Sequence, residues 1–439
     1  MLLDSKFKVQ GYHLEMTKPG KSVGNWPTVK WDRFATGAQQ ANVTGWLLPL
    51  SFAFLFLPAA FRYLVGTSSN TLGLVGVCVI LCCASVLNGG FNKGSYARRM
   101  LVVIAPITVA LVAHLGIAVF LPRVPQPYDG VRSSASMFAF AVALITAGVI
   151  ADWLLRASTA QIDRICGMTR IAMVLIGIWC FAGAQPPSPI DLVRPSFPFT
   201  EPSHYALVAA PFVIEGCVRT TLVRRLLWLV VWLALAVLNQ SLSLIVVVAI
   251  AAAVSLPIAY AFIVVVPITL IAAGMDLQYY TDRLDLSAGS TNLSSLVYRQ
   301  GWELMQQGLE YSGGWGIGFQ QLGFTPLNVP TSDVIYRILG DDSNLRDGSF
   351  FAAKLVSELG LIGITLVVVF LGLLTRAVWT LRGMISISGA LQPPHLRLGA
   401  AMICAFTVEM FVRGIGYFSS TAILILAAVL MQHAIKKGR

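Results

Sequence analysis

The chain has 439 residues, of which 56% are hydrophobic and 12% are charged, and its mean hydropathy is +0.74. Charged residues make up about a quarter of an ordinary globular domain, so this composition excludes a soluble protein. Apolar runs of roughly 17 to 25 residues are long enough for a helix to cross a bilayer, where only helices and closed barrels satisfy their backbone. The runs are too long and continuous for barrel strands, so the sequence predicts an all-α polytopic integral membrane protein.

Twelve apolar runs are predicted to be transmembrane helices. They cover residues 45–63, 71–90, 100–121, 135–155, 169–184, 203–218, 226–239, 241–255, 257–274, 351–372, 398–414 and 417–434. A basic tail, residues 1–44, precedes them, and nine of the runs fall within residues 45–274. A large polar loop, residues 275–350, comes before the last three runs, which lie within residues 351–439 and end in a short basic tail.

The basic residues predict the orientation of these runs. Most of the 31 Lys and Arg residues fall on one side, whereas the short loops on the other side hold only Arg62, Arg123, Arg132 and Arg194. The positive-inside rule therefore places both termini in the cytoplasm and the large loop outside it. We expect the net charge of +11 to be mostly this orientation signal, the cytoplasmic charges to serve only that purpose, and no nucleic acid to be a partner.

The first external polar cluster stands at the start of the sixth run, in the stretch TEPSHYAL, residues 200–207. Pro202 suits the first turn of a helix, and Glu201 is favoured there by the helix dipole, so the stretch fits an ordinary helix start. Glu201 and His204 also share one helix face and could line an external cavity. Arg194, just upstream in a base-poor loop, is a candidate to bind an anionic ligand.

The large loop contains a predicted amphipathic helix. Leucine and valine recur at helical spacing between residues 293 and 309, which fits a helix at the outer leaflet with Arg299 on its polar side. An ordinary packed surface helix is the alternative. The glycine-rich stretch at residues 313–318 is predicted to end this helix, and it does not match a nucleotide-binding loop because it follows no strand.

A third cluster lies where the loop returns to the membrane. Arg346 and Asp347 stand at the outer end of the tenth run, and Lys354 and Glu358 follow with a spacing that favours a pair. Arg413 lies in the outer half of the eleventh run, four residues after a glutamate. An unpaired charge inside a membrane costs at least about 2.5 to 3.5 kcal/mol near the bilayer centre, so charged residues within a span usually face partners or a polar cavity. The outer membrane boundary is therefore the predicted working surface.

These residue types suit a particular chemistry. Arginine binds phosphate or pyrophosphate bidentately and stays charged when desolvated. A carboxylate or imidazole nearby can act as general base on a hydroxyl. The seven cysteines show no metal-binding spacing, so no metal or cofactor is expected. A lipid-linked sugar pyrophosphate combines a hydrophobic tail, an anionic leaving group and an activated sugar.

Several stretches resemble the Wzy polysaccharide polymerases and the related O-antigen ligases. They are YRQGWELMQQ at 298–307, GWGIGF at 314–319, DGSFF at 347–351 and ELGLIG at 358–363. FTEPSHYALVAAP at 199–211 resembles a segment of the exopolysaccharide polymerase branch. The resemblance covers about residues 195–370. It implies a GT-C-like, metal-independent glycosyltransferase that acts on undecaprenyl-pyrophosphate-linked oligosaccharides at the periplasmic face of the bacterial inner membrane, with membrane lipid and a chain-length-regulator protein as further partners.

The resemblance also implies where the site lies. Arginines important to the family occupy the third and fifth periplasmic loops, which here carry Arg194 and Arg283, Arg299, Arg337 and Arg346. Of these, Arg194, Arg299 and Arg346 are candidates to bind the pyrophosphate, and Arg413 is a further one. The general base stays open among three residues, which are Asp347, Glu201 and His204.

Two other functions stay open at this point. The first is an O-antigen ligase that transfers finished glycan to the lipid A core. The family's ligases place a histidine before a G-x-x-G motif, and that position is Gly348 here, which favours a polymerase. The second is a non-enzymatic transporter or flippase of lipid-linked glycans, which the scarcity of polar residues at mid-membrane disfavours.

Overall fold

The computed structural model describes residues 47–67, 69–120, 128–183, 185–189, 196–257, 260, 283, 285–287, 289–340, 348–385 and 394–436. Within these ranges the only β-structure is an isolated bridge between Ser196 and Phe199, and the rest of the regular structure is helical. The helices are α1 (Leu47–Val65), α2 (Thr71–Leu87), α3 (Tyr96–Phe120), α4 (Gly130–Arg156), α5 (Thr159–Phe181), α6 (Pro202–Arg219), α7 (Leu222–Leu238), α8 (Leu242–Ser255), α9 (Leu293–Ser312), α10 (Pro330–Leu339), α11 (Phe351–Ile385), α12 (Pro394–Phe411) and α13 (Ser420–Lys436).

Five of these helices are long and apolar enough to cross a membrane, namely α1, α3, α4, α5 and α11, and α2, α8 and α13 are shorter apolar helices. The predicted class, an α-helical protein with several candidate membrane-spanning helices, is confirmed. Eleven of the predicted runs coincide with a described helix. The tail at 1–44, and the run at 257–274 apart from residues 257 and 260, lie outside the described residues. That twelve helices cross the membrane stays a prediction.

The core is built around α6. Every side chain of this helix from His204 to Val218 is buried, and the helix packs against α8 and α12. Fully buried alanines such as Ala209 on α6 and Ala400 on α12 allow the helix backbones to approach closely. In turn α12 packs against α11 and α13, and α13 packs against α4.

Five charged side chains join α5, α6 and α12 near the C-terminal end of α6. Glu215 is fully buried and accepts hydrogen bonds from Arg170 and from Nε of Arg397, the latter at 2.7 Å. Asp163 accepts a hydrogen bond from Nη2 of Arg397 at 2.8 Å and forms an ion pair with Nη2 of Arg219 at 3.1 Å. The expectation that the charges assigned to the cytoplasmic side serve only as an orientation signal is wrong. Three of them, Arg170, Arg219 and Arg397, belong to this ion-pair network between helices.

The long helix α11 is broken at Gly360, whose φ of 57° and ψ of −129° are not helical. The break is filled by residues 313–318, which we call the glycine loop. Ile317 N donates to the Ser357 carbonyl at 3.0 Å, and Gly318 N donates to the Glu358 carbonyl at 2.9 Å. Leu361 N donates to the carbonyl of Gly314 at 2.9 Å. The loop thus satisfies backbone groups that the break would otherwise leave unpaired, as a helix break inside a membrane requires.

Glycine is required on both sides of this contact. A Cβ atom on Gly360 would collide with the carbonyl oxygen of Gly314, and one on Gly316 would lie 2.5 Å from the carbonyl oxygen of Glu358. The glycine loop was expected only to end a helix. It does follow the end of α9, and it also packs into the break of α11.

The predicted amphipathic helix is α9, and its buried face packs against α11. That face includes Leu296, Gln300, Leu304 and Gly308. Gly308 lies so close to Ser357 that a Cβ would be 2.9 Å from its Cα. The helix is confirmed and is packed on the protein, whereas its contact with the outer leaflet stays a prediction.

Replacing Gly360 with alanine should destabilise the protein. The new side chain meets the glycine loop, and its backbone lies at a positive φ, which for a non-glycine residue costs about 1–3 kcal/mol before the collision is added. Gly372 on the same helix is the matched control, because a Cβ there meets nothing. We expect a lower thermal unfolding midpoint in detergent for Gly360→Ala only, and equal midpoints for both variants would contradict the proposed packing.

Glu215→Gln should destabilise the helix core. The substitution leaves the guanidinium groups of Arg170 and Arg397 buried with less negative charge, and breaking a buried pair typically costs about 3–5 kcal/mol. Asp163→Asn is the control, because its side chain is 24% exposed and solvent can compensate. Denaturant titration in mixed micelles should give the larger loss for Glu215→Gln, and a smaller loss than in the control would rule out the network as a core element.

Candidate functional site

Three of the predicted site residues meet where the start of α6 lies beside the end of α12. Oε1 of Glu201 lies 2.8 Å from Nε2 of His204 and accepts a hydrogen bond from Nη2 of Arg413 at 3.0 Å. Nδ1 of His204 lies 3.0 Å from the hydroxyl of Thr200. A neutral imidazole that carries its proton on Nε2 and accepts from Thr200 satisfies both contacts. We call Glu201, His204 and Arg413 the outer cluster.

The local sequence explains why Glu201 is available to this cluster. It is the N-cap of α6, but its side chain makes no capping hydrogen bond, and Pro202 supplies the first helical position. Arg413 follows the end of α12 at Phe411, in the turn before α13. The side chains of Glu201 and Arg413 are 34% and 29% exposed, whereas that of His204 is 9% exposed. The outer cluster is therefore reachable from outside the core.

The electrostatics of the outer cluster favour an ionised carboxylate. Burial alone would raise the pKa of Glu201, but the charge of Arg413, the interaction with His204 and the hydrogen bonds from both lower that pKa well below its ordinary value. Arg62, in the last turn of α1, lies close enough to His204 to interact with it electrostatically. Sequence reasoning missed Arg62, which it assigned only to an external loop.

The other predicted site residues lie elsewhere or outside the described ranges. Nε of Arg299 donates to Oε1 of Glu303 at 2.9 Å, so Arg299 is paired within α9 and is not part of the outer cluster. The remaining three candidates lie outside the described residues, and their roles stay predictions: Arg194, Arg346 and Asp347.

The segments that carry Arg299 and Arg413 are joined through residues 349 and 350. Gly414 N donates to the carbonyl of Ser349 at 2.9 Å. The Phe350 ring lies 5.2 Å from the ring of Tyr298 and 5.5 Å from that of Trp302, both on α9. The start of α11 thus connects the turn after α12 with the helix of the large loop.

A small cavity lies beneath the outer cluster. Its volume is about 20 Å³, and its polar lining comes from Asn70, His204 and residues 419–421. Two of those residues, Ser419 and Thr421, donate hydrogen bonds to the fully buried Glu409, at 2.8 Å in the case of Ser419. A space of this size holds about one water molecule. Glu409, four residues before Arg413, is therefore satisfied by hydroxyl groups and does not take part in the outer cluster.

A second buried polar cluster is centred on Glu358. Its Oε2 accepts from Gln320 N at 2.9 Å, and Lys354 lies close enough to interact with it electrostatically. The ammonium of Lys354 lies 5.3 Å from the centroid of the Tyr417 ring, which is cation–π distance. The expected attraction between Lys354 and Glu358 is present, and the carboxylate also holds the chain that follows the glycine loop.

Neither a metal site nor a family assignment follows from these observations. In the part of the chain that the structure describes, no three His, Cys, Asp or Glu side chains are placed to hold a metal ion. No protein-family model matches the sequence, and no curated protein matches it. The chemistry must therefore be argued from the arginine, carboxylate and imidazole groups that the fold brings together.

Glu303→Ala should loosen the start of α10. Glu303 holds Arg299 and also accepts hydrogen bonds from N and Oγ1 of Thr331, at 2.9 and 2.6 Å. Thr331 is buried, and an unpaired buried N–H costs about 1–3 kcal/mol. We expect faster amide hydrogen exchange around Thr331, measured by mass spectrometry.

Glu310→Ala is the matched control, because among the described residues the Glu310 carboxylate on the same helix accepts only from the exposed amides of Gln306 and Gln307. Equal exchange at the start of α10 in the two variants would show that Glu303 does not anchor that helix.

Proposed function

We propose that the protein polymerises oligosaccharide repeat units carried on undecaprenyl pyrophosphate, at the periplasmic face of a bacterial inner membrane with both chain termini in the cytoplasm. The observation that carries the proposal is the outer cluster, in which a partly exposed arginine, a carboxylate and an imidazole meet at the end of two buried helices. An arginine there suits a diphosphate, and the other two groups suit proton transfer.

The proposed reaction is a direct glycosyl transfer that requires no metal. The hydroxyl of the acceptor sugar attacks the anomeric carbon of the donor glycan, and its proton passes to Glu201 or His204. The bond between the anomeric carbon and the phosphate oxygen breaks, and its electron pair leaves with undecaprenyl pyrophosphate. Arg413 stabilises the charge on this leaving group. Arg194, Arg299 and Arg346 stay further candidates for the diphosphate, and Asp347 a further candidate for the base.

The resemblance of several stretches to the Wzy polymerases supports this proposal and suggests a GT-C-like enzyme. The same resemblance leaves an O-antigen ligase as an alternative, and a ligase would transfer glycan once to each lipid A core acceptor. A chain-length-regulator protein is the partner that a polymerase would require to set product length.

A lipid-linked glycan transporter is the second candidate, and one observation favours it. Discontinuous membrane helices often line the substrate sites of transporters, and α11 is discontinuous at Gly360. Here, however, the glycine loop fills the break, and a fully buried Glu358 lies beside it. A break that is packed by its own chain favours a structural role over a transport pathway.

The experiment that tests the proposal uses purified full-length protein in detergent. The protein is incubated with undecaprenyl-pyrophosphate oligosaccharide repeats, without nucleotide and with EDTA, and the products are separated on a gel. A ladder of repeat multiples supports polymerisation. Unchanged substrate would contradict it, and movement of the substrate across vesicle membranes without a ladder would favour the transporter.

Arg413→Ala should lower the rate of ladder formation by at least about tenfold, since loss of a charge-assisted hydrogen bond to the leaving group costs about 1.5–3 kcal/mol. Arg219→Ala is the matched control. Arg219 is similarly exposed, at 34%, and pairs with a carboxylate at 3.1 Å, but it lies at the opposite end of α6, about 27 Å away at 1.5 Å per residue. Equal rates for the two variants would remove Arg413 from the proposed site.

A further inference from the structure

We propose that Glu201 occupies an anion-binding site formed by Arg413 and His204, and that the diphosphate of the donor displaces it. The inference rests on the proposed function, because it names the ligand of the same site. It adds a role that a general base alone would not have. Before the donor binds, the carboxylate of Glu201 occupies the anion-binding site, and after the diphosphate displaces it, the same carboxylate accepts the proton.

The contacts of Glu201 are those of an exchangeable ligand. One oxygen, Oε1, takes both the contact with His204 and the hydrogen bond from Arg413. The other oxygen, Oε2, has no hydrogen-bond partner among the described residues. A carboxylate fixed for structural reasons looks different in this protein, since Glu215 uses both oxygens and is fully buried.

The helix does not depend on the side chain of Glu201. Its carboxylate makes no capping hydrogen bond, and α6 begins with Pro202, whose ring fixes a helical φ. Displacement of the carboxylate would therefore leave the first turn intact. The N-terminal end of the helix also carries partial positive charge, which favours an incoming anion.

A diphosphate suits this site better than a single carboxylate. It carries more negative charge, and it can accept two parallel hydrogen bonds from one guanidinium, whereas Glu201 takes its hydrogen bond from Arg413 on one oxygen.

Displacement also changes the chemistry of Glu201. The guanidinium of Arg413 is the strongest influence that lowers the pKa of this carboxyl, so Glu201 is a weak base while the two are paired. Once Arg413 binds the diphosphate, the carboxylate regains basicity and its Oε2 can accept the proton of the acceptor hydroxyl. The electron pair of that O–H bond forms the new glycosidic bond, and the diphosphate leaves with the pair of the bond that breaks. Base activation is thereby coupled to donor binding.

The test measures the affinity of the full-length protein in detergent for inorganic pyrophosphate by isothermal titration calorimetry. Glu201→Gln removes the competing negative charge, so it should bind pyrophosphate at least about tenfold more tightly than the wild type. Arg413→Ala should lose most of the binding. Unchanged or weaker binding by Glu201→Gln would overturn the inference, because a carboxylate that only supports the fold cannot compete with the ligand.

Asp163→Asn is the matched control for charge. Asp163 also bridges two cationic side chains, Arg219 and Arg397, and is 24% exposed, but it lies at the other end of α6. The pyrophosphate affinity of Asp163→Asn should equal that of the wild type. An equal gain in affinity in Asp163→Asn and Glu201→Gln would show that net charge alone explains the effect, and it would overturn the inference.

Glu201→Asp keeps the inference testable if the glutamine variant does not fold. This side chain keeps its charge but is one methylene shorter, so its hold on Arg413 weakens, and we expect a smaller gain in affinity in the same direction. No gain would overturn the inference.

Binding and polymerisation are read separately, so the two proposals can fail independently. Tighter pyrophosphate binding by Glu201→Gln without any ladder from the wild type would support the anion site and contradict the polymerase. A ladder from the wild type, without tighter pyrophosphate binding by Glu201→Gln, would support the polymerase and contradict the anion site.

Discussion

The contact on which the surroundings of Arg413 depend is the insertion of the glycine loop into the break of α11. Gly360 can adopt its positive φ only because it has no side chain, and the carbonyl groups freed by the break accept hydrogen bonds from Ile317 and Gly318. His114 on α3 donates to the carbonyl of Trp315 at 2.8 Å, so the same loop also contacts the third helix. A break at membrane depth is tolerated when protein groups satisfy it. The loop therefore holds α11 at its break, and the residues just before α11 bond to the turn that carries Arg413 through Gly414 N and the carbonyl of Ser349.

The two ends of α6 show how one type of interaction can serve two purposes. At one end Glu215 binds two arginines out of contact with solvent, where loss of a partner is costly. At the other end Glu201 binds His204 and Arg413 with a third of its side chain exposed, where an ion pair contributes little to stability and can exchange. Burial, and not the chemistry of the groups, makes the first pair structural and leaves the second available for a ligand.

The sequence predicted most of the helices, because an apolar run or an apolar periodicity reports local geometry that each segment carries by itself. It also predicted that Glu201 and His204 share a face, since three residues make almost one turn of a helix. It did not predict the partner of Arg413. The i, i+4 spacing suggested Glu409, but α12 ends at Phe411, so the spacing no longer describes one helix and Glu409 bonds to Ser419 and Thr421 instead.

Composition and periodicity by themselves determined that the chain is helical, apolar enough for a membrane and rich in charge at the ends of its helices. Only the tertiary structure decided which of those charges meet. The pair of Glu201 and Arg413 spans 212 positions of the sequence, and the glycine loop reaches a helix that begins after it. Such contacts depend on how α6, α11 and α12 pack, and packing is a property of several surfaces at once that no local pattern contains.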